Sequence, residues 1–265
     1  MAEGLLAGKH GVITGVANER SIAWGCAQRC AAEGATLAFS FLGEAQEKRL
    51  RKLTEPMDGA LCVPCDVTKD EEIEAFFDLV GKAWGKIDFL IHSVAYANRD
   101  DLTGRYVDTP RANFHMTMDI SAYSLVALSR AAEPLFPEQG GSIVAMTFYG
   151  AEKVVPHYNV MGVAKATLEA SARYLAADLG ARGIRVNCVS AGPVKTLAAA
   201  AIQSFRRMLA ITEQNAPLQR NITLDDVAGA ALYLLSDLST AVTGEVLHVD
   251  SGYNILGMFE LPDLG

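Results

Sequence analysis

The chain lacks the features that would send it to a membrane or a nucleic acid. No apolar run in its 265 residues reaches the ~20 residues of a membrane-spanning helix. The opening MAEGLLAGKHGVITG passes straight into a strand-like segment with no signal-peptide pattern, so a cytosolic protein is expected. A basic stripe is missing too: the formal charge is -8, the pI is about 5.2, and the basic residues are scattered along the chain. A polyanion-binding surface needs clustered cations to release counterions, which excludes nucleic acid and anionic lipid as partners.

Cysteine is sparse. Cys26 and Cys30 fall on an expected helix, Cys188 in a strand, and Cys62 and Cys65 form a lone C-x-x-C at a strand end. No second paired spacing with His completes a zinc set, so the five read as small buried hydrophobes and no metal is expected. Linkers rich in Pro, Gly or Ser, charge blocks and repeats are also absent, which favours one domain over residues 1–265.

What the chain has is an alternation. Short β-rich runs stand at residues 10–14, 36–41, 60–64, 88–93, 142–147, 185–190 and 245–249. Each is almost continuously apolar, as a strand buried on both faces must be. Between them lie helical patterns over Ile22 to Glu33, Asp70 to Trp84, Ala112 to Leu135, Asn159 to Leu179 and Leu224 to Leu235. This βα alternation predicts a Rossmann-like, doubly wound parallel α/β sheet of about seven strands with helices on both faces. The stretch from Thr196 to Asn215 is long for a connection and has its own helical period, so it reads as a substrate lid.

Tyr158 precedes Lys165 by seven residues, which on a helix puts phenol and ammonium at one azimuth, roughly 10 Å apart along the axis. That arrangement suits a dinucleotide ribose held between them; a buried Tyr and a solvated Lys at the same spacing is the alternative. In an open parallel sheet the ligand sits beyond the carboxyl ends of the strands, against a helix N-terminus. The first strand-to-helix turn lacks G-x-G-x-x-G, yet Gly15 can turn the chain and Ser21, before Ile22, can cap the helix with its hydroxyl toward phosphate. An ordinary capped loop reads the same way. Asp66 and Val67 end the third strand, where Asp66 is either an adenine acceptor or a helix cap. The small residues Ser93, Val94 and Ala95 end the fourth, and Gly192, Val194 and Thr196 follow the sixth.

These strings resemble the short-chain dehydrogenase/reductase superfamily and, within it, the bacterial enoyl-acyl-carrier-protein reductases. The resemblance runs from about Leu6 to Met258 through ITGVANERSIAWG, CDVT, YNVMGVAK, RVNCVSAGPVKTLAA and GEVLHVDSGYN. Ordinary superfamily members place three residues between Tyr and Lys, whereas here six intervene and Gly162 stands where the nearer Lys would be. The resemblance implies that Gly15, Ser21, Ile22, Asp66, Val67, Ser93 and Ala95 contact the dinucleotide, that Lys165 holds the nicotinamide ribose, and that Tyr158 addresses the thioester carbonyl of a trans-2-enoyl substrate. It also implies an acyl-carrier-protein partner and a homotetramer. One position departs: most bacterial members have a second Tyr ten residues before the first, and here Phe148 stands there with Tyr149 beside it. A mycobacterial branch acting on long chains carries Phe at this place, so the departure bears on substrate range.

On the lid, Ala198, Ile202, Phe205 and Met208 recur at three- and four-residue spacing and form an apolar stripe. Packing on the core explains such a stripe equally well; the resemblance puts it over the acyl chain and makes Arg206 and Arg207 the dock for an acidic carrier. The second strand ends in Leu42-Gly43-Glu44, with no base at its tip and a carboxylate that would repel a 2'-phosphate, so NADH is expected over NADPH. Two other functions stay open at this level: a carbonyl or alcohol oxidoreductase, and a nucleotide-binding paralogue without reductase activity.

Overall fold

The computed structural model describes residues 4–196 and 205–258. Seven strands form one sheet: β1 (His10–Ile13), β2 (Thr36–Phe41), β3 (Leu61–Pro64), β4 (Phe89–His92), β5 (Gly141–Thr147), β6 (Ile184–Ala191) and β7 (Val246–Val249). Their order is β3-β2-β1-β4-β5-β6-β7 and every pairing is parallel. The strand order reverses between β1 and β4, which opens a crevice at their carboxyl ends.

Residue alternation explains the unbroken apolar strands. Ile13, Phe39, Ile91 and Val144 pack on one side with α1 (Ile22–Ala32) and α8 (Leu224–Leu235). Their immediate neighbours Val12, Ala38, Leu90 and Ile143 point the other way, into α3 (Asp70–Trp84), α5 (Ser124–Ala132) and α6 (Val160–Leu179). In the central strands neither face meets water, so neither can carry polar residues at every second position. The cysteines behave as expected of apolar groups: all five are free thiols, and burial pushes Cys26, Cys65 and Cys188 up to about 12.

Two helical expectations need correction. The segment read as one helix from Ala112 to Leu135 is α4 (Arg111–Met118), a π-helical turn (Asp119–Tyr123), α5, and a 3-10 turn (Glu133–Leu135) containing Pro134. At the π turn Ser121 Oγ bonds both the amide and the carbonyl of Tyr96, while Ser124 Oγ donates to the Ile120 carbonyl at 2.7 Å. Hydroxyls that compete for backbone groups in this way widen the helical turn. The second correction is α2 (Glu44–Thr54), which lay unrecognised because only Leu50 and Thr54 are buried and its other positions are mostly charged or polar. Helix α7 (Phe205–Asn215) occupies the described part of the expected lid; Ala198 and Ile202 lie outside the described residues.

Candidate active site

At the carboxyl end of the sheet is a cavity of about 590 Å³ whose lining is mainly apolar. It is shaped by close backbone approach. Gly15 follows β1 at φ 88°, and a Cβ there would stand 2.1 Å from the Ser93 carbonyl oxygen beyond β4. Only a residue with neither side chain nor a bias against positive φ fits between these strand ends. Thr14 draws them together, its amide and hydroxyl both donating to the Ile91 carbonyl.

Most of the expected site residues line this cavity: Gly15, Ser21 and Ile22 from the first turn, Ser93, Val94 and Ala95 after β4, and Gly192, Val194 and Thr196 after β6. Tyr158, Lys165 and Phe148 join them, as do Phe205 and Met208 of α7. Asp66 and Val67 do not belong to the lining. Asp66 is not the cap of α3, whose N-cap is Lys69; its Oδ1 instead accepts from the amide and hydroxyl of Thr68. Ser21 does occupy the N-cap of α1 but makes no side-chain cap; its hydroxyl donates to the Asn18 carbonyl at 2.7 Å. The expected side-chain cap is therefore not made, although Ser21 lines the cavity. Arg206 and Arg207 are exposed, flanked by the half-buried Phe205 and Met208.

The pairing of Tyr158 with Lys165 also has a different origin from the one the spacing suggested. Helix α6 begins at Val160, so Tyr158 is not on it. The tyrosine sits in a preceding turn in which His157 has φ 64° and Asn159 φ 42°. That turn, rather than a shared azimuth, brings the phenol to the cavity that Lys165 reaches from the helix. Gly162 has its own reason: a Cβ there would meet the Gly150 carbonyl oxygen at 2.7 Å, where the loop after β5 crosses α6.

Both groups are buried, Tyr158 at 8% and Lys165 at 5% exposure. Burial holds the Tyr158 phenol above its ordinary range, with Glu169 adding to the effect, so the hydroxyl stays protonated and can donate. Burial also pulls the Lys165 ammonium down to about 8, against the opposing influence of Cys188 and Glu169. Lys165 Nζ donates to the Met146 carbonyl at 2.7 Å, and an ammonium carries three protons, so the bond steers the group without exhausting it. One turn further on, Glu169 accepts from Thr147 Oγ1 at 2.7 Å, a second tie between β5 and α6. His92 is fully buried and shares a hydrogen bond with the Ser124 hydroxyl at 2.7 Å; burial, with the Lys165 charge, drops it to about 3 and keeps it neutral.

Phe148 meets Tyr158 edge to face, with ring centroids 4.8 Å apart. Leu102 and Met161 complete an apolar nest around the phenol. Tyr149 faces elsewhere: its ring packs on His248 and Tyr253, and its hydroxyl donates to the Asn254 carbonyl at 3.4 Å. It does not replace a hydroxyl at position 148.

Sequence reasoning missed Gln46, Tyr96, Leu102 and Met161 in the lining. Met161 had a signal, since it lies one helical turn before Lys165 on the same face. Gln46 had none: its amide ties Leu42 N to the Val16 carbonyl, a bridge between β2 and the first turn that only the assembled sheet creates.

A family model described as Enoyl-(Acyl carrier protein) reductase matches residues 15–254. The chain is 55% identical to the enoyl-acyl-carrier-protein reductase (NADH) 1 of Rhizobium meliloti, covering 99% of this chain and 97% of that one. It is 52% identical to the corresponding reductase of Rickettsia felis, over 98% of this chain and all of that one (100%). Among solved structures, the Anaplasma phagocytophilum enoyl-acyl-carrier-protein reductase in complex with NAD is similar at TM-score 0.93 and 50% identity, covering 99% of each chain. The Bacillus cereus reductase with NADP+ and an indole naphthyridinone is similar at TM-score 0.94 and 49% identity, covering 96% of this chain and 100% of that one.

Proposed function

The chain belongs to the enoyl-(acyl carrier protein) reductase family, and we propose that Tyr158 and Lys165 carry out its reaction in the cavity at the end of the sheet. The activity is the NADH-dependent reduction of an enoyl thioester carried by acyl carrier protein, a step of fatty-acid synthesis. The single observation that carries the residue assignment is that Tyr158 and Lys165, from a turn and a helix, line the same cavity as the small residues ending β1, β4 and β6.

The lining fits a dinucleotide. Gly15, Ser93, Ala95 and Gly192 keep side chains out of the space where a flat, extended ligand would pass, and the N-terminus of α1 suits a pyrophosphate. We assign the pyrophosphate to the turn from Gly15 to Ile22 and the nicotinamide ribose to Lys165. We also keep Asp66 and Val67 at the adenine end, although they stand outside the described cavity. Bound NADH supplies the hydride for the β-carbon of the enoyl group.

Negative charge then gathers on the thioester oxygen, and a proton taken up at the α-carbon completes the saturated thioester. The Tyr158 hydroxyl, held neutral by burial, donates a hydrogen bond to that oxygen and is stronger as the charge grows, which is what lowers the barrier. Lys165 orients the ribose and adds a positive charge within the same desolvated space. Phe148, Leu102 and Met161 keep water from the enolate face. On α7, Phe205 and Met208 form an apolar wall suited to an acyl chain, and the exposed Arg206 and Arg207 suit the acidic surface of a carrier.

We propose a single reductase domain over residues 1–265, assembled as a homotetramer. Exposed Met116, Tyr123 and Tyr174 support that assembly, standing on α4, the π turn and α6, which pack together. No helix among the described residues is long and apolar enough to cross a membrane. With five free thiols and that feature, a cytoplasmic enzyme is our reading. The test is NADH oxidation followed by absorbance with crotonyl thioester beside a panel of ketones. Turnover of the enoyl thioester alone is expected; turnover of ketones alone would replace this reading with a carbonyl oxidoreductase.

A further inference from the structure

Asn159 follows Tyr158 and adopts φ 42°, ψ -120°, a conformation that side-chain-bearing residues rarely take. Strain of this kind persists only where the surroundings over-determine it. Here they do so visibly. The Asn159 side-chain amide donates to the Asp101 carbonyl at 2.8 Å and to the Gly104 carbonyl at 2.9 Å, so both of its protons hold one loop more than fifty residues away. That loop is built on its own short bonds, Asp101 N to Asn98 O and Gly104 N to Asp100 O, and carries Leu102 into the cavity against Tyr158. On the other side Gly162 N donates to the Asn159 carbonyl and starts α6, the helix that delivers Lys165. Asn159 thus stands where three things meet: the turn presenting the phenol, the loop presenting the apolar wall, and the helix presenting the ammonium.

We infer that Asn159 is a positioning residue for the reduction, its amide locking the Tyr158 turn to the Asp101–Gly104 backbone so that phenol and acyl wall hold one geometry. This rests on the reading of Tyr158 as the oxyanion donor. A tyrosine held only by apolar packing could slide along the walls, and a donor displaced by ~1 Å loses much of its effect on a developing charge. The side chain chosen must donate twice to carbonyls and tolerate positive φ. Asparagine does both, and glycine and aspartate each do only the second.

The test compares Asn159→Gly and Asn159→Asp with Tyr158→Phe and the parent enzyme. Glycine relaxes the backbone while removing the tether; aspartate keeps the shape but offers a carboxylate to two carbonyls. Crotonyl thioester turnover, NADH affinity by fluorescence titration and melting temperature are read on each. Both Asn159 variants are expected to lose about tenfold or more in kcat, with NADH affinity within about twofold and Asn159→Gly melting close to the parent. If Tyr158→Phe is impaired while Asn159→Gly turns over at the parent rate, the inference is wrong and the Tyr158 reading stands. If Tyr158→Phe is fully active, the reading fails and the inference falls with it. If kcat, NADH affinity and melting temperature of both Asn159 variants fall together, Asn159 is only a structural prop and the positioning role is overturned.

Discussion

At the scale of single residues the site is governed by burial. Tyr158 keeps its proton because the cavity wall would desolvate a phenolate, and a neutral donor is what an enolate oxygen requires. Tyr158→Phe is therefore expected to lower kcat by about a hundredfold or more while NADH affinity stays within about twofold, checked by steady-state kinetics and direct titration. Equal losses in both would assign the hydroxyl to the cofactor instead. Lys165 titrates near 8 rather than its ordinary 10.5, because burial disfavours the ammonium. The charged form exists below that value and disappears above it, so NADH affinity should weaken with an alkaline limb near pH 8. Between those two values the unfolded chain holds the extra proton, so this burial costs stability at neutral pH and the cost fades as pH rises. Lys165→Arg should flatten the limb, and a wild-type affinity unchanged well past it would show that the Lys charge is not used. Phe148→Tyr places a hydroxyl in the apolar nest of Tyr158, Leu102 and Met161, where an unmet partner costs about 1 to 3 kcal/mol. Chain-length preference should shift while crotonyl turnover stays within about tenfold. A wild-type enzyme inert to every enoyl thioester but activated by this change would favour a paralogue without activity.

Among elements, β5 and α6 act as one piece. Lys165 grips the Met146 carbonyl and Glu169 accepts from Thr147, so the carboxyl end of the strand, with Phe148 just beyond it, cannot move without the helix. The second element that matters is α7, whose two faces divide labour. Phe205 and Met208 turn to the cavity, and Arg206 and Arg207 turn to solvent. Replacing both with Glu should raise the Michaelis constant for acyl-carrier-protein substrates several-fold and spare a coenzyme A thioester, since rim charges steer encounter with a charged partner. The comparison of the two substrates at low and high salt decides it; equal effects on both would place the Arg pair in folding or catalysis. Strand ends and α3 and α8 were legible as elements because their apolar periodicity is strong, and α2 was not, because its sequence is nearly all polar.

For the whole molecule, two covered sheet faces leave the carboxyl ends of the strands as the place for the cavity. The strand order reverses between β1 and β4, the place where an open parallel sheet leaves a crevice for a ligand. The outer helices leave Met116, Tyr123 and Tyr174 exposed, the surface we propose as the subunit contact. Sedimentation equilibrium should give the mass of a homotetramer of 28.3 kDa chains, and a monomer at working concentration would remove that proposal.

The sequence by itself determined the parallel sheet, and it singled out the strand ends and the pair Tyr158 and Lys165 that we propose as the site. Unbroken apolar strands call for cover on both sides, and small residues at successive strand ends leave room for close backbone approach. What tertiary structure alone decided is how those pieces are aimed. The spacing of Tyr158 and Lys165 suggested one helix, yet the tyrosine lies before it in a turn with positive φ at two non-glycine residues, held by carbonyls from a distant loop. Ser21 has the residue type of a helix cap, yet its hydroxyl donates to Asn18 and makes no cap. Leu102 and Gln46 enter the cavity with no local pattern to announce them. Local periodicity records which face of an element is buried; the direction of a hydroxyl or an amide is set by whichever partner the folded chain brings within reach, and such partners lie many residues away.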